Sequence, residues 1–569
     1  MSIAKATFQS AGKISQHLIP GAYSRIDSVK GSSGLVSAKN GVIMGQCKGG
    51  KPTTLLKFNS FSEAFQTLKS GELMDAVRMA FDPGGDNVPQ TIYAMRVNSA
   101  VQGSTNLLET ATPLITLKSL DYGLDANQIK VTLEAGTTEG KKLTVGYKSE
   151  DDEVFDNLYQ ASLTITHATA TITIVNNSAT HTLTGSVDTL SVDLNTFDTI
   201  GALATYINDQ TGYTAVATAG QENVDSKKLD SVSAISASGG VVFQSTMYAI
   251  INGINAGSVR IGATDVSATN DIEIPDNLTE TYLTSGSEGT YSTTEWTASL
   301  LQMEGEDIQL ISTPDTGASV HSAIATHCTG MSSVNGRKER QFIVGAPVKT
   351  SVIATDISTA VSASQVLNSK YGMYAFNGGT NYDINGVLTS YHAGYTACML
   401  MGIHCATALN EPLTFKAVNY IDLDWKLSNS QLETLIENGV APVNYNSIGV
   451  SHCVRQVNTY QTPDLKFNEF SMVTEMFFAS RDLRAYLEGL FVGKPGSSIS
   501  VGLIQEVVKT KLTQYTANLG IFQKDSTGVA FWNIVASISG DTVTIDYDAN
   551  VTAPVNFLFV TQHFHEVTG

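Results

Sequence analysis

The sequence predicts a mixed α/β, multi-domain chain: a central α/β core with a helix-covered, largely parallel sheet, a β-rich insertion, and a C-terminal α+β domain with terminal strands. Three observations carry this. At 569 residues the chain exceeds what one compact core accommodates. Residues 291–455 alternate strand-like and helix-like apolar patterns at the spacing of a doubly covered parallel sheet. Residues 105–290 run instead in short alternations rich in Thr, Ser, Asp and Gly, and hold 23 acidic against 8 basic residues. That balance of −15, out of −19 for the whole chain, sets the segment apart.

In chain order, residues 1–20 lack a strong period and read as an N-terminal arm. The stretch "IPGAYSRID" at 19–27 opens the next part, 21–104, with a Pro-Gly turn and an alternating strand. There follow strands at Val42–Met44 and Leu55–Phe58, a helix capped by Ser60 or Ser62, a helix over 71–81, and the strand "TIYAMRV". In the 105–290 insertion, "SLTITHATATITIV" and "ATHTLTGSV" form a hairpin across Asn176-Asn177. One amphipathic helix interrupts it, with Phe197, Ile200, Leu203, Ala204 and Ile207 at helical spacing. In 291–455, helices are expected near 293–303, 317–333, 356–369 and 388–409, with strands "IQLIS", "QFIVGAP" and "MYAFN" between them. The last part, 456–569, reads as helices over 468–491 and 498–519, then three strands, "VAFWNIVAS", "DTVTIDYD" and "PVNFLFVTQHF".

Composition excludes several function classes. With 34 basic and 53 acidic residues, the chain is unsuited to nucleic acid or an anionic membrane as its main partner. The apolar run 393–409 is too short and too polar, with His404 inside it, for a membrane span, so a soluble core helix is expected. No signal peptide is visible in "MSIAKATFQSAGK". Five cysteines without C-x-x-C spacing fit assembly in a reducing cytoplasm.

The stretch "GVIMGQCKGGKPTT" at 41–54 places Gly45, Gly50 and Lys51 at the spacing of a phosphate-binding loop. Such a loop needs a Ser or Thr after the Lys, and a helix starting there. Pro52 offers neither hydroxyl nor N–H and disfavours helical geometry at Lys51, so a Gly-rich connection between strands is expected. His392, Cys398, His404, Cys405, His452 and Cys453 lack paired zinc spacing. Asp151, Asp152, Glu153 and Asp156 lack the Gly and ligand ladder of an EF-hand. No G-x-S-x-G elbow occurs. No catalytic, cofactor or metal residue is assigned, and no cofactor is expected.

Several stretches together resemble the tail sheath proteins of contractile phages and related injection machines. "PGAYSRID" looks like that family's Pro-Gly-Val-Tyr start. "GVIMGQCKGGKPTTLLKFNSFSEAFQTL" resembles its strand, turn, strand and helix, and "FDPGGDNVPQTIYAMRV" its following strand. Later, "HAGYTACMLMGIHCATALNEPLTFKAV" resembles its "A-G-x-x-A" helix, and "LSNSQLETLIENGVAPVNY" the stretch after it. Coverage is 21–104 and 291–560, with 105–290 placed as an outward-facing insertion.

The resemblance implies a structural subunit, not an enzyme, that polymerises helically around an inner tail tube and contracts to drive it through the host envelope for genome delivery. Implied partners are other copies of the chain, the tube protein, and baseplate and tail terminator proteins, without direct nucleic-acid contact or membrane insertion. The implied place is the virion tail, assembled in the bacterial host cytoplasm. In that family terminal arms donate strands to neighbours. The matching pieces here are Ile3, Ala4, Lys5 and Phe8, and Val555, Phe557, Leu558, Phe559 and Val560. By position, the helix 498–519 would contact the tube through Glu506, Lys509 and Lys511. The competing reading is an α/β hydrolytic enzyme with an accessory β domain. It expects a polar pocket at the strand ends of 291–455.

Overall fold

The computed structural model describes residues 6–10, 13–17, 39–85, 87–177, 179–266, 274–495 and 499–563. The expected strand at 19–27 lies outside them. The chain divides into two compact units, 1–38 with 474–553, and 39–473 with 554–569.

The larger unit is organised by one eight-stranded sheet. Its first strands are β3 (Gly41–Gly45), β4 (Leu55–Phe58) and β5 (Ile92–Arg96), which follow an N-terminal antiparallel pair, β1 (Ala6–Ser10) and β2 (Lys13–His17), in the other unit. Between β4 and β5 run α1 (Phe61–Leu68), capped by Ser60 accepting from the Glu63 N–H, and α2 (Glu72–Phe81).

The insertion is two modules, one nested in the other. The outer module begins with β6 (Gln102–Glu109), β7 (Thr112–Tyr122), β8 (Ile129–Ala135), β9 (Lys141–Tyr147) and β10 (Glu153–Leu158). The inner module follows as β11 (Ala161–Thr166), β12 (Thr171–Asn176), β13 (His181–Gly185), β14 (Ser191–Asp193), α3 (Ile200–Asn208), β15 (Thr214–Ala217), β16 (Val232–Ser236) and β17 (Val241–Gln244). The chain then returns to the outer module with α4 (Thr246–Gly257), β18 (Ile261–Asp265) and β19 (Leu278–Tyr282).

Each module closes its own core, around Leu163, Ile172, Leu183 and Leu203 in the inner one and Leu117, Val131, Leu143 and Ile250 in the outer. The hairpin expected across Asn176-Asn177 is β12 paired with β13. The run "SLTITHATATITIV" is two strands of two different sheets, broken at His167, whose Nδ1 accepts from the N–H groups of Thr169 and Ala170. The helix α4 is a second helix that the sequence reading did not find. Its glycines and β-branched residues lower helix propensity, yet Met247, Ile250 and Ile254 stand at helical spacing and are buried.

The core resumes with α5 (Thr293–Met303), β20 (Leu310–Ser312), α6 (Ala318–Met331), β21 (Gln341–Gly345), α7 (Ile353–Leu367), β22 (Gly372–Phe376), β23 (Gly379–Tyr382), β24 (Leu388–Tyr391), α8 (Ala393–Ala406), β25 (Asp422–Leu423), α9 (Asn429–Glu437), β26 (Val440–Tyr445) and β27 (Ser451–Cys453). The sheet order is β27-β26-β22-β21-β20-β3-β5-β4, parallel except for the two outermost pairings. Alternate residues of each strand feed two cores. Ile43 and Ile343 face α2 and α8, while Val42, Met44, Phe342 and Val344 face the cluster with Trp296, Ile324 and Leu435. This burial on both faces explains the continuous apolar strands.

The expected helix 388–409 begins later, at Ala393. Residues 388–391 are the strand β24, and the His392 ring caps α8 by accepting from the Gly394 N–H. Gly402 lets α8 approach α2: a Cβ there would stand 2.2 Å from the Ala80 carbonyl oxygen. Beyond the sheet, α10 (Leu465–Asn468) leads to α11 (Phe470–Phe491). The smaller unit continues with α12 (Val501–Ala517), β28 (Phe531–Ser539) and β29 (Thr542–Ala549).

The root of the insertion is locked by one buried guanidinium. Arg96 is fully buried. It pairs with Glu288 at 2.6 Å and donates to the carbonyls of Gly50 and Tyr122 and to Asn98 Oδ1. Asn98 in turn donates to the Glu288 carbonyl at 2.8 Å, so both ends of the insertion are tied to β5 and to the turn after β3. Removing one partner of a buried pair strands the other. Arg96→Met is expected to cost about 3 kcal/mol, read as a lower unfolding temperature with faster proteolysis at 285–291. An unchanged protein would show that the clamp carries no load.

A second joint holds inner to outer module. The Ser245 N–H donates to the Gln160 carbonyl at 2.9 Å, and Lys228 pairs with Asp265 at 2.6 Å. Asp230 accepts from both the N–H and the hydroxyl of Thr246, at 2.9 and 2.7 Å. Burial outweighs these bonds and raises its carboxyl to about 6 from 3.8. The ionised form is therefore the penalised one. Its cost is full above about pH 6 and relieved as pH falls towards 3.8. Asp230→Asn is expected to raise the unfolding temperature at pH 7.5 and to lose that advantage by pH 4. Calorimetry at both pH values checks it, and a pH-independent difference would refute the assignment.

Candidate assembly surface

The residues singled out for chemistry are engaged structurally. The turn after β3 leads into β4 and starts no helix. Gly50 adopts φ +80°, Lys51 is exposed, and Pro52 bridges to Arg96. His404 is fully buried, its basicity lowered by desolvation, with its ring edge-on to Phe470 at 5.2 Å. Burial pushes the thiols of Cys47, Cys328, Cys398, Cys405 and Cys453 up to about 12, so they stay protonated at neutral pH. Among the described residues no group of three or more His, Cys, Asp or Glu could hold a metal, and no helix is long and apolar enough to cross a membrane.

At the carboxyl ends of β21 and β22 lies a crevice of about 60 Å³. Its polar side chains satisfy one another: Lys349 pairs with Asp424 at 2.9 Å, and Trp425 Nε1 donates to Asp356 at 3.0 Å.

The large cavity lies elsewhere, within 474–553. A groove of about 1140 Å³ runs between α11 and the hairpin β28–β29. Met476, Leu483, Leu487 and Phe491 line one wall, and Val543, Ile545, Tyr547 and Ala549 line the other. The β29 residues alternate, so one face of the hairpin looks into the groove. The sheet has only two strands, β28 paired antiparallel to β29, and among the described residues both outer edges are free of a further strand. A two-stranded hairpin needs a packed helix in water, and α12 serves β28 in that way, with Gln505 Nε2 donating to the Ile534 carbonyl at 3.0 Å.

The expected third strand, "PVNFLFVTQHF", is not a strand in residues 554–563. Val555, Phe557, Leu558, Phe559 and Val560 are exposed by 87, 67, 85, 92 and 70 %. Apolar groups on both faces of such a segment need cover on both sides, and the chain does not itself provide it there. Of the N-terminal residues, Phe8 lies in β1 opposite Ser15, and Ile3, Ala4 and Lys5 lie outside the described residues.

On α12, Glu506 and Lys509 are exposed and stand 3.7 Å apart. Lys511 does not share that face. It is buried, pairs with Asp482 on α11 at 2.7 Å and lies over the Tyr486 ring, while the Tyr515 hydroxyl donates to the same carboxylate at 2.7 Å. The stretch "EVVKTKL" shows two lysines two apart, which a helix places on different faces. Lys511→Glu would set two carboxylates together in the interior and is expected to cost at least 3 to 5 kcal/mol, roughly the value of a broken buried pair. Lys509→Glu should leave the unfolding free energy within about 0.5 kcal/mol of the original. Equal effects of the two variants would overturn this placement.

The fold is that of sheath proteins. Along 91 % of the chain it superposes on 93 % of the crystal structure of a sheath tail protein from Desulfitobacterium hafniense, with a TM-score of 0.53 at 10 % identity. A sheath tail protein from Listeria innocua gives 0.53 over 88 % of this chain and 89 % of its own, at 12 % identity. In sequence, residues 289–459 match the phage tail sheath protein central domain. The tail sheath protein of Bacillus phage SP01 is 25 % identical, covering 97 % of this chain and 96 % of that protein. A putative tail sheath protein of Enterococcus phage phiEF24C is 28 % identical over 85 % and 86 %. The chain is thus similar to phage tail sheath proteins along nearly its whole sequence and carries the fold of sheath tail proteins, which defines its class as a structural tail sheath protein.

Proposed function

We propose that this subunit polymerises helically around an inner tail tube by strand exchange, and that the polymer shortens to drive the tube through a bacterial envelope. The observation that supports this is the two-stranded sheet over an apolar groove, in a chain whose own 554–563 segment is apolar, largely exposed and part of no strand. A neighbour's strand, from its N-terminal arm or its C-terminal segment, completes β28–β29. Head-to-tail contact of this kind does not close on itself and so propagates. Main-chain hydrogen bonds at a sheet edge also survive rotation of the subunits that carry them, as a contracting sleeve requires.

The exposed Glu506–Lys509 face of α12 is the proposed tube contact, a screened pairing weak enough to release. The nested modules of 105–290 face outward and decorate the sleeve. The baseplate and a tail terminator cap its ends, the virion tail is its location, and it has no catalytic role.

Electron microscopy of the purified full chain, of a chain lacking residues 1–12 and of one ending at Ala553 tests the reading. Hollow cylinders from the full chain and unassembled subunits from either truncation are expected. Cylinders from both truncations, or a small closed oligomer from the full chain, would refute strand exchange.

A further inference from the structure

The exposed C-terminal segment is tied at its root. Glu469, whose side chain is fully buried, takes three donors on one carboxylate oxygen: Arg455 Nε at 2.9 Å, Arg455 Nη2 at 2.7 Å and Asn556 Nδ2 at 2.9 Å. The Arg455 guanidinium also lies over the Phe557 ring at 5.6 Å, and the Phe557 and Phe559 rings stack at 6.5 Å. From residue 557 to 563 the segment makes no strand, and its apolar side chains are largely exposed. The second oxygen of Glu469 and Oδ1 of Asn556 have no hydrogen-bond partner among the described residues. The contact is thus half-satisfied on both sides.

We propose that Arg455, Glu469 and Asn556 form a latch that parks the C-terminal segment on its own subunit and limits its release to a neighbouring copy. The inference rests on the strand-exchange reading and adds the step before exchange. The Arg455–Glu469 pair is made by residues outside the segment, so its formation does not require Asn556. Undocking sacrifices one charge-assisted hydrogen bond and one cation–π contact and returns the Asn556 amide to water. A balance of that kind keeps the segment parked in a free subunit, yet yields to a partner offering a full ladder of main-chain bonds.

The test uses the full chain with a nitroxide on Leu558→Cys, a position exposed in any case. The chain without Leu558→Cys, labelled in parallel, sets the background of the native thiols, of which Cys47, Cys328, Cys398 and Cys453 are buried. Asn556→Ala removes the donor, and Asn556→Asp adds repulsion against Glu469. Both should raise the ratio of mobile to immobile label by about tenfold, the weight of one hydrogen bond to a charged group, without changing the unfolding temperature. Both should also lower, by a similar factor, the protein concentration at which cylinders appear.

Unchanged spectra would overturn the latch. Mobile spectra with an unchanged assembly threshold would overturn its control of release. If the chain ending at Ala553 assembles like the full chain while the spectra respond as expected, strand donation by this segment fails and the tether alone stands.

Discussion

The attachment of a third of this chain depends on one buried guanidinium. Arg96 ends β5, the strand next to the sheet's β4 edge, and its donors reach the turn after β3, the carbonyl of Tyr122 and the carboxylate of Glu288. Guanidinium suits this place because its planar fork serves several acceptors at once and stays charged when buried. The geometry makes the insertion continuous with the core through two hydrogen-bonded strands rather than a loose linker. Lys69, at the end of α1, reinforces it from the core side by pairing with Asp121 at 2.5 Å. A module held so firmly follows the core through any rotation of the subunit.

The opposite principle operates at the chain's C-terminal end. There the structure leaves polar backbone edges and apolar side chains without cover: a two-stranded sheet, an apolar groove, and a segment with five large exposed side chains. In a monomer these are liabilities, because open strand edges invite pairing with other chains. In a subunit of a polymer they are the means of assembly. The contrast between a saturated root and an unsaturated end is what the proposed function draws on.

Much of the fold was legible in the residues. The alternation of apolar runs from "IQLIS" to "MYAFN" pointed to a parallel sheet, and Ser60 or Ser62 bracketed the start of α1, which Ser60 caps. Pro52 was enough to disqualify a phosphate loop. What local pattern hid has physical reasons. Leu388–Tyr391 continues smoothly into an apolar helix; the Asp383 turn folds it back onto β23 as a strand, and the His392 cap marks where α8 begins. The helix α4 was masked by Gly253 and Gly257. The pairing of Lys511 with Asp482 joins residues on two helices, which no window along one helix reports.

By itself the sequence determined the class of fold, the acidic insertion and the resemblance to tail sheath proteins, because periodicity, composition and motif order are written along the chain. Only the tertiary structure decided that the insertion is two nested modules, that Arg96 locks its root, that Lys511 faces inward, and that "PVNFLFVTQHF" closes no sheet of its own subunit through residue 563. Each of these turns on contacts between residues distant in sequence, and a strand's partner is a property of the space around it.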